Sequence, residues 1–310
     1  MPHPLLKLFQ RPDNPPRIQL QARDERIVEL VWRYRFLTLD LLKLHLHHRA
    51  TDTALRQRLR ALFVHGFLDR PQAQLVSRIN GDERTTVYAL GLQGAKLLAR
   101  VLGIPIEKSR WTQKNNEAKI IYLDHTLACA RFRTLLSVAL RDHARARLFH
   151  WAEKNPALHA TLTHPPRLFG EQSERLKLIP DGFFGVHFPR EPEGANKSYF
   201  FLEMDRATEP LSRFVRAKGR GYREYRKSGD YQRLGIKGFR VLIVAPNQSR
   251  LQSLRQSIAA WLKDETDHPL EKIQMWLFAS EERYSLTNPM SILAPIWQTV
   301  GDERFVSLLD

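Results

Sequence analysis

The chain has 310 residues, 43% of them hydrophobic, and carries 49 Lys+Arg against 33 Asp+Glu, a formal net charge of +16. That length suffices for about two domains with cores of their own, and the hydrophobic share excludes a disordered tail. The positive excess, with a pI near 10.2, points to a polyanionic partner, nucleic acid ahead of an anionic membrane surface. No apolar run approaches the roughly 20 residues of a transmembrane helix. The amino-terminal MPHPLLKLFQRPDNPPR is too proline-rich for a secretory signal, so a cytoplasmic chain with no membrane partner is expected. A single cysteine, Cys129, excludes an internal disulfide and a multi-cysteine zinc site; in LACARF it reads as a small buried hydrophobe.

From residue 24 apolar residues recur at helical spacing: Ile27, Val31 and Tyr34, widened by Val28 and Leu30, with Asp24 as the expected cap. Thr38 is expected to cap a second helix marked by Leu39, Leu42 and Leu46. In the third, TDTALRQRLRALFVHGFL, the buried face is Leu55, Leu59, Leu62 and Phe63. Thr53, Arg56, Gln57 and Arg60 then fall at i, i+3, i+4 and i+7 on the opposite face, and Gly66 ends the helix. Next, LVSRI (75–79) meets TTVYAL (85–90) through Asn80-Gly81, a hairpin signal, and the helix LQGAKLLARVL follows.

Three helices, a hairpin and a closing helix over 22–103 is the order of a winged helix-turn-helix DNA-binding domain. Its last compact helix enters the major groove, where Arg reads guanine and Gln adenine, so Thr53, Arg56, Gln57 and Arg60 are expected to contact double-stranded DNA. Arg78 and Arg84 are expected on the wing. A solvated basic face on a purely structural helical domain is the alternative. The histidines of HLHH, His45, His47 and His48, point in different directions on a helix and have no acid or cysteine at ligand spacing. They read as surface residues near DNA, not as a metal site.

Residues 104–116 lack a period and read as a linker to a second domain over 117–300. A long helix is expected from Glu117 to Asp142, with Ile121, Leu123, Leu127, Leu135 and Leu136 buried. RLFHWAE (147–153) reads as a strand, and LKLIPDGFFGVHF (176–188) as another, which Pro180 bends or places at an edge. Across the polar loop PREPEGANKS lies its antiparallel neighbour, YFFLEMD (199–205). Alternation puts Phe201, Glu203 and Asp205 on one face of that strand and Phe200, Leu202 and Met204 on the other. Two adjacent carboxylates require a cation, a proton or a basic side chain between them. Asp181, on the bent strand, is placed to meet Glu203. Leu211, Phe214, Lys218, Tyr222 and Tyr225 form one helical stripe, whose lysine needs Glu203 or Asp205 as a partner; Gly219 and Gly221 weaken that helix. FRVLIVAP (239–246), QSRLQSLRQSIAAWL and IQMWLFA (273–279) add strand, helix and strand, an α/β order overall.

PDG (180–182) and FFLEMDRATE (200–209), together with VYALGLQGAKLL, DHTLACARFRTLL (124–136) and ILAPIW (292–297), span nearly the whole chain. This ordered set resembles the replication-relaxation family of plasmids and integrative elements. Its members look like a winged helix followed by a degenerate restriction-endonuclease-like, PD-(D/E)XK, mixed-sheet α/β domain. The resemblance implies a catalytic set of Asp181, Glu203, Asp205 and Lys218. In an active site Asp181 and Glu203 would hold Mg²⁺ or Mn²⁺ against a scissile phosphate; otherwise no cofactor is implied. Asp205 stands where the motif has its lysine, and Lys218 would supply the ammonium instead. Glu153 and Asp124 are further candidate ligands.

Three functions are compatible with these features. One is a DNA-binding protein of a mobile element, serving replication, relaxation or transfer beside a relaxase or replication protein, in which Asp181, Glu203, Asp205, Lys218 and Arg206 form an ion network that cuts nothing. A second is a Mg²⁺-dependent endonuclease targeted by its winged helix. The third, a transcriptional regulator, leaves about two hundred residues without a role.

Overall fold

Apolar residues at helical spacing in ARDERIVELVWRY produce helix α1 (Ala22–Tyr34), with Ile27, Val28, Leu30 and Val31 buried. The computed structural model describes residues 9–46, 51–74, 86–103, 115, 117–152, 158–161, 175–265 and 274–310. The chain divides into two compact units, Met1–Thr134 and Leu135–Asp310. That boundary falls within the helix Ile120–Arg141, and most of 104–116 lies outside the described residues.

In the first unit α1 is followed by β1 (Phe36–Thr38), α2 (Leu39–Leu46), α3 (Asp52–Val64), β2 (Leu68–Asp69), β3 (Val87–Leu90), α4 (Leu92–Leu102) and the start of α5 (Ile120–Arg141). β3 lies between β1 and β2, antiparallel to both, pairing Leu37 with Tyr88 and Leu68 with Leu90. Neither β1 nor β2 is evident in the sequence, because strands of three and two residues are too short to establish a period. The expected strand 75–79, the Asn80-Gly81 turn and both wing arginines, Arg78 and Arg84, lie outside the described residues.

Several local expectations are corrected here. Asp24 is not the cap of α1 but its third residue. Its carboxylate accepts the Gln21 backbone N–H at 2.7 Å and, fully buried, is gripped by Arg58 of α3, whose Nε lies 2.8 Å from Oδ1. This ion pair ties α1 to α3. His45 is buried, not on the surface: its Nε2 lies 3.0 Å from Thr134 Oγ1 and its ring 4.8 Å from that of Tyr34. His47 and His48 lie outside the described residues. On α5 Leu123 is buried as expected but Ile121 is 62% exposed, and Leu127 is half-buried against Phe36, Val87 and Ala89. Cys129 is half-buried, with Sγ 3.8 Å from His125 Nε2.

The second unit is built on a seven-stranded mixed sheet in the order β12-β11-β10-β9-β8-β7-β4. Its strands are β4 (Arg147–Trp151), β7 (Gly182–His187), β8 (Lys197–Met204), β9 (Arg240–Ala245), β10 (Trp276–Ser280), β11 (Trp297–Gln298) and β12 (Phe305–Val306). The apolar runs β9 and β10 are central and parallel to each other, and β9 is parallel to β8; such runs suit strands covered on both faces. β4 is the exposed edge. β5 (Leu158–Thr161) and β6 (Arg175–Leu178) pair separately. The expected long strand 176–188 is therefore two: the chain leaves β6, turns at Pro180 and enters β7, which pairs antiparallel with β8.

Between β8 and β9 run α6 (Leu211–Phe214), a π-helical turn Val215–Gly219 and α7 (Arg220–Ser228). The glycines do not break this helix. A Cβ on Gly219 would lie 3.2 Å from the Trp261 ring, so the bare backbone allows close packing on α8 (Gln248–Glu265), the crossover between β9 and β10. Phe214, Tyr222 and Tyr225 thus stay on one buried stripe with Phe201, Phe239 and Trp276. The sheet also continues past residue 300. Arg255 of α8, 4% exposed, donates to the Thr299 and Asp302 carbonyls and pairs with Glu303, fixing the β11–β12 turn.

Candidate functional site

Alternate residues of β8, from Lys197 through Tyr199, Phe201 and Glu203, face one way, and Asp205 follows directly. Phe201 is buried beneath Tyr222, Tyr225 and Phe239. Beyond it Glu203, 1% exposed, receives two donors: the Lys218 ammonium, with Nζ 2.6 Å from Oε2, and the Tyr222 hydroxyl, 2.6 Å from Oε1. Lys218 also donates to the Ile179 carbonyl at 3.1 Å. It reaches the carboxylate from the π-helical turn, a distortion that often marks functional sites.

Asp181 is held close by. Its N–H donates to the Leu202 carbonyl at 2.9 Å, and its Oδ2 accepts the Met204 N–H at 2.8 Å, so it is stitched to β8 on both sides of Glu203. Asp205, 4% exposed, turns to a different cation: Arg250 of α8 clasps it through Nε at 2.9 Å and Nη2 at 3.0 Å, and Ala207 N–H donates at 3.1 Å. Ala207 has φ +55°, a strained left-handed turn that brings its N–H back to that carboxylate. Arg206 leaves the cluster for Glu281, at 2.6 Å.

Burial pushes the Glu203 carboxyl up to about 7, with Asp181 adding repulsion and Lys218 opposing. Burial alone would lower Lys218; the carboxylates of Glu203 and Asp181 outweigh it and hold the ammonium above the ordinary lysine range. The Tyr222 hydroxyl is raised well above its usual value by burial and by Glu203, and stays a donor. Chemically, a carboxyl that titrates near neutrality between an ammonium and a phenol can hold or release a proton.

A divalent ion does not fit this arrangement. Mg²⁺ requires oxygen ligands in octahedral array and keeps several waters. Both Glu203 oxygens already face donors, the Lys218 ammonium and the Tyr222 hydroxyl, and the carboxylate is 1% exposed, which leaves it no free oxygen for an ion and its waters. Both Asp205 oxygens face Arg250.

Asp181, Glu203 and Lys218 are therefore brought together, while Asp205 and Arg206 are drawn off by separate partners. Glu153 lies outside the described residues; Asp124 is half-buried on α5. Local spacing assigns no role to Tyr222, Arg250 or Arg58. Tyr222 stood on the right stripe, one turn from Lys218, and that was the available signal. Nothing in local spacing relates position 205 to 250 or 24 to 58.

On α3 the face is as the periodicity predicts. Leu55, Leu59, Leu62 and Phe63 are buried, and Thr53, Arg56, Gln57 and Arg60 are exposed. Arg58, between them, is withdrawn to Asp24.

These features define an α/β protein with a small helix-and-strand unit and a larger mixed-sheet unit bearing a buried acid–lysine–tyrosine cluster. Residues 29–239, more than half of the chain, match the model of the replication-relaxation family, and the protein belongs to that family. No curated protein and no solved structure matches the chain. Among the described residues no helix is long and apolar enough to cross a membrane.

Proposed function

We propose that this is a DNA-binding protein of a mobile element, acting in replication, relaxation or transfer, in which a winged helix recognises duplex DNA and a PD-(D/E)XK-like unit has lost cutting activity. Membership of the replication-relaxation family supports a role in replication of mobile elements. The observation that carries the DNA reading is the α3 surface: Thr53, Arg56, Gln57 and Arg60 are exposed together on the face opposite a fully apolar one, in a chain of net charge +16. The helix–strand–helix–helix–strand–strand order of the first unit fits a winged helix, with α3 as the groove reader and β2–β3 as the base of the wing. The reading without cutting is supported by Glu203 and Asp205, each engaged by a cation of its own chain.

Titration of labelled duplex DNA at several salt concentrations tests the first part. Arg56→Ala with Arg60→Ala should weaken binding and reduce the salt slope by about 0.9 for each phosphate no longer neutralised. Unchanged affinity and slope would exclude α3 as the DNA face.

An endonuclease is the second reading, favoured by the convergence of Asp181, Glu203 and Lys218. Supercoiled plasmid incubated with Mg²⁺ or Mn²⁺ decides: nicked or linear product from the wild type, absent with Glu203→Gln and Lys218→Arg, would replace the binding-only reading.

A further inference from the structure

At the other end of β8 the same strand face opens into a groove of about 1330 Å³, lined entirely by residues of the second unit. From Lys197 to Glu203 is six residues, roughly 20 Å at strand rise, so the groove is separate from the acid cluster. Four cations line it, Lys197, Arg226, Lys237 and Arg240, with His187, against one acid, Glu193. Two of the cations lean on the fold: Arg226 donates to the Phe239 carbonyl, and Arg240 to the Asp310 backbone oxygen, each at 3.3 Å. Lys197 and Lys237 are exposed and have no carboxylate partner among the described residues. Gly194, at φ +89°, makes room for one of them: a Cβ there would lie 3.0 Å from Lys237 Nζ.

Aromatic rings stand among these charges. Phe149, on the edge strand β4, is 43% exposed yet held in place. Its ring crosses β7 at Gly185, where a Cβ would lie 2.4 Å from it, and packs edge-on to Tyr199 with centroids 5.8 Å apart. Lys197 Nζ lies 5.5 Å from its centroid. A large ring fixed by a glycine and a neighbouring tyrosine, in a residue 43% exposed, is a preorganised stacking position, and a base entering there would move the Lys197 ammonium off the ring face towards its own phosphate. Ammonium groups without a carboxylate beside it suit phosphates. The volume exceeds the ~300–1,000 Å³ of small-molecule pockets, which favours an extended ligand over a single nucleotide.

We infer that this groove binds single-stranded DNA, with a base stacked on Phe149 and the backbone phosphates on Lys197 and Lys237. The assignment is independent of the α3 surface and of the acid cluster. Alternating rings and cations along a groove are how proteins hold single strands without reading sequence.

Fluorescence anisotropy on the full chain, with a labelled oligothymidylate spanning the ~16 nucleotides of the larger single-strand sites, tests it. Phe149→Ala should weaken binding about 5-fold to 160-fold, the range for the stacking of one base, whereas Phe149→Trp should retain it. Lys197→Ala with Lys237→Ala should lower the salt slope by about 0.7 for each phosphate that the lysines had neutralised. Arg56→Ala should leave oligothymidylate binding intact, and its effect on duplex DNA is read in parallel, so failure of the α3 reading and failure of this one appear in different variants. Binding that is indifferent to the Phe149 and lysine changes, binding that falls only with Arg56→Ala, or thymidine monophosphate binding as tightly as the oligomer would each overturn the inference.

Discussion

At one end of the β8 face, Glu203 and Asp205 are 1% and 4% exposed and each receives a cation from its own chain, Lys218 and Arg250. At the other end Lys197 is exposed, meets an aromatic ring and has no carboxylate partner among the described residues. Asp24 in the first unit repeats the first pattern: it is fully buried and held by Arg58. Burial accounts for the contrast, because an ionised group removed from water needs a partner of its own, whereas an exposed one is solvated. Charge that serves a partner molecule is therefore to be sought where the chain leaves it unmatched. The +16 of this protein is an excess of that kind.

The largest effect should come from breaking a matched pair. Lys218→Met leaves Glu203 buried beside Asp181 and should cost about 4 kcal/mol of unfolding free energy at pH 8. The cost should shrink at pH 5, where Glu203 takes up a proton. Urea denaturation at both pH values checks this; a cost independent of pH would mean that Glu203 is not ionised beside Lys218 at pH 8.

A second test uses the Glu203 titration itself. Its folded-state value of about 7 lies above the ordinary 4.5 because burial disfavours the charge. The folded protein therefore binds the proton more tightly than the unfolded chain does. The associated stability is complete below about 4.5 and is lost as pH rises through about 7. Lys218 is raised above its ordinary 10.5 and titrates outside this window. Wild type minus Glu203→Gln should thus fall by something on the order of 3 kcal/mol between pH 4.5 and 7. A flat difference would sink the assignment. Smaller again, Arg250→Ala should cost about 2 kcal/mol, since Asp205 loses two charge-assisted hydrogen bonds but keeps the Ala207 N–H.

What could be read from the sequence follows the same division. The α3 faces, the antiparallel β7–β8 pair and the need of Lys218 for Glu203 or Asp205 come from periodicity: 3.6 on a helix and 2 on a strand say which residues share a side, and only the structure chooses Glu203. Partnerships that depend on which elements become neighbours have no such signal. Arg250 reaches Asp205 only because the parallel β8–β9 pairing delivers the start of α8 to the end of β8. Arg58 reaches Asp24 only through packing of α1 and α3. The groove stayed hidden for a related reason: Phe149, Lys197 and Lys237 come from three separated segments, and none of them belongs to a motif.

The smallest expected effect is the one that separates the two ends of β8 most sharply. Replacing Lys197 and Lys237 together by alanine removes two exposed ammonium groups that satisfy no buried carboxylate, so the unfolding free energy should change by less than about 0.5 kcal/mol. Removal of either buried-end cation is expected to cost several times that. Losing two like charges from a strongly basic chain also relieves repulsion, so a slight stabilisation at low salt fits the same account and should vanish as screening shortens the reach of the charges. Thermal melts of the double variant at low and high salt provide the measurement. A marked loss of stability would mean that these lysines are structural members of the β8 face, matched within the fold like Lys218, and the contrast between the two ends would no longer stand.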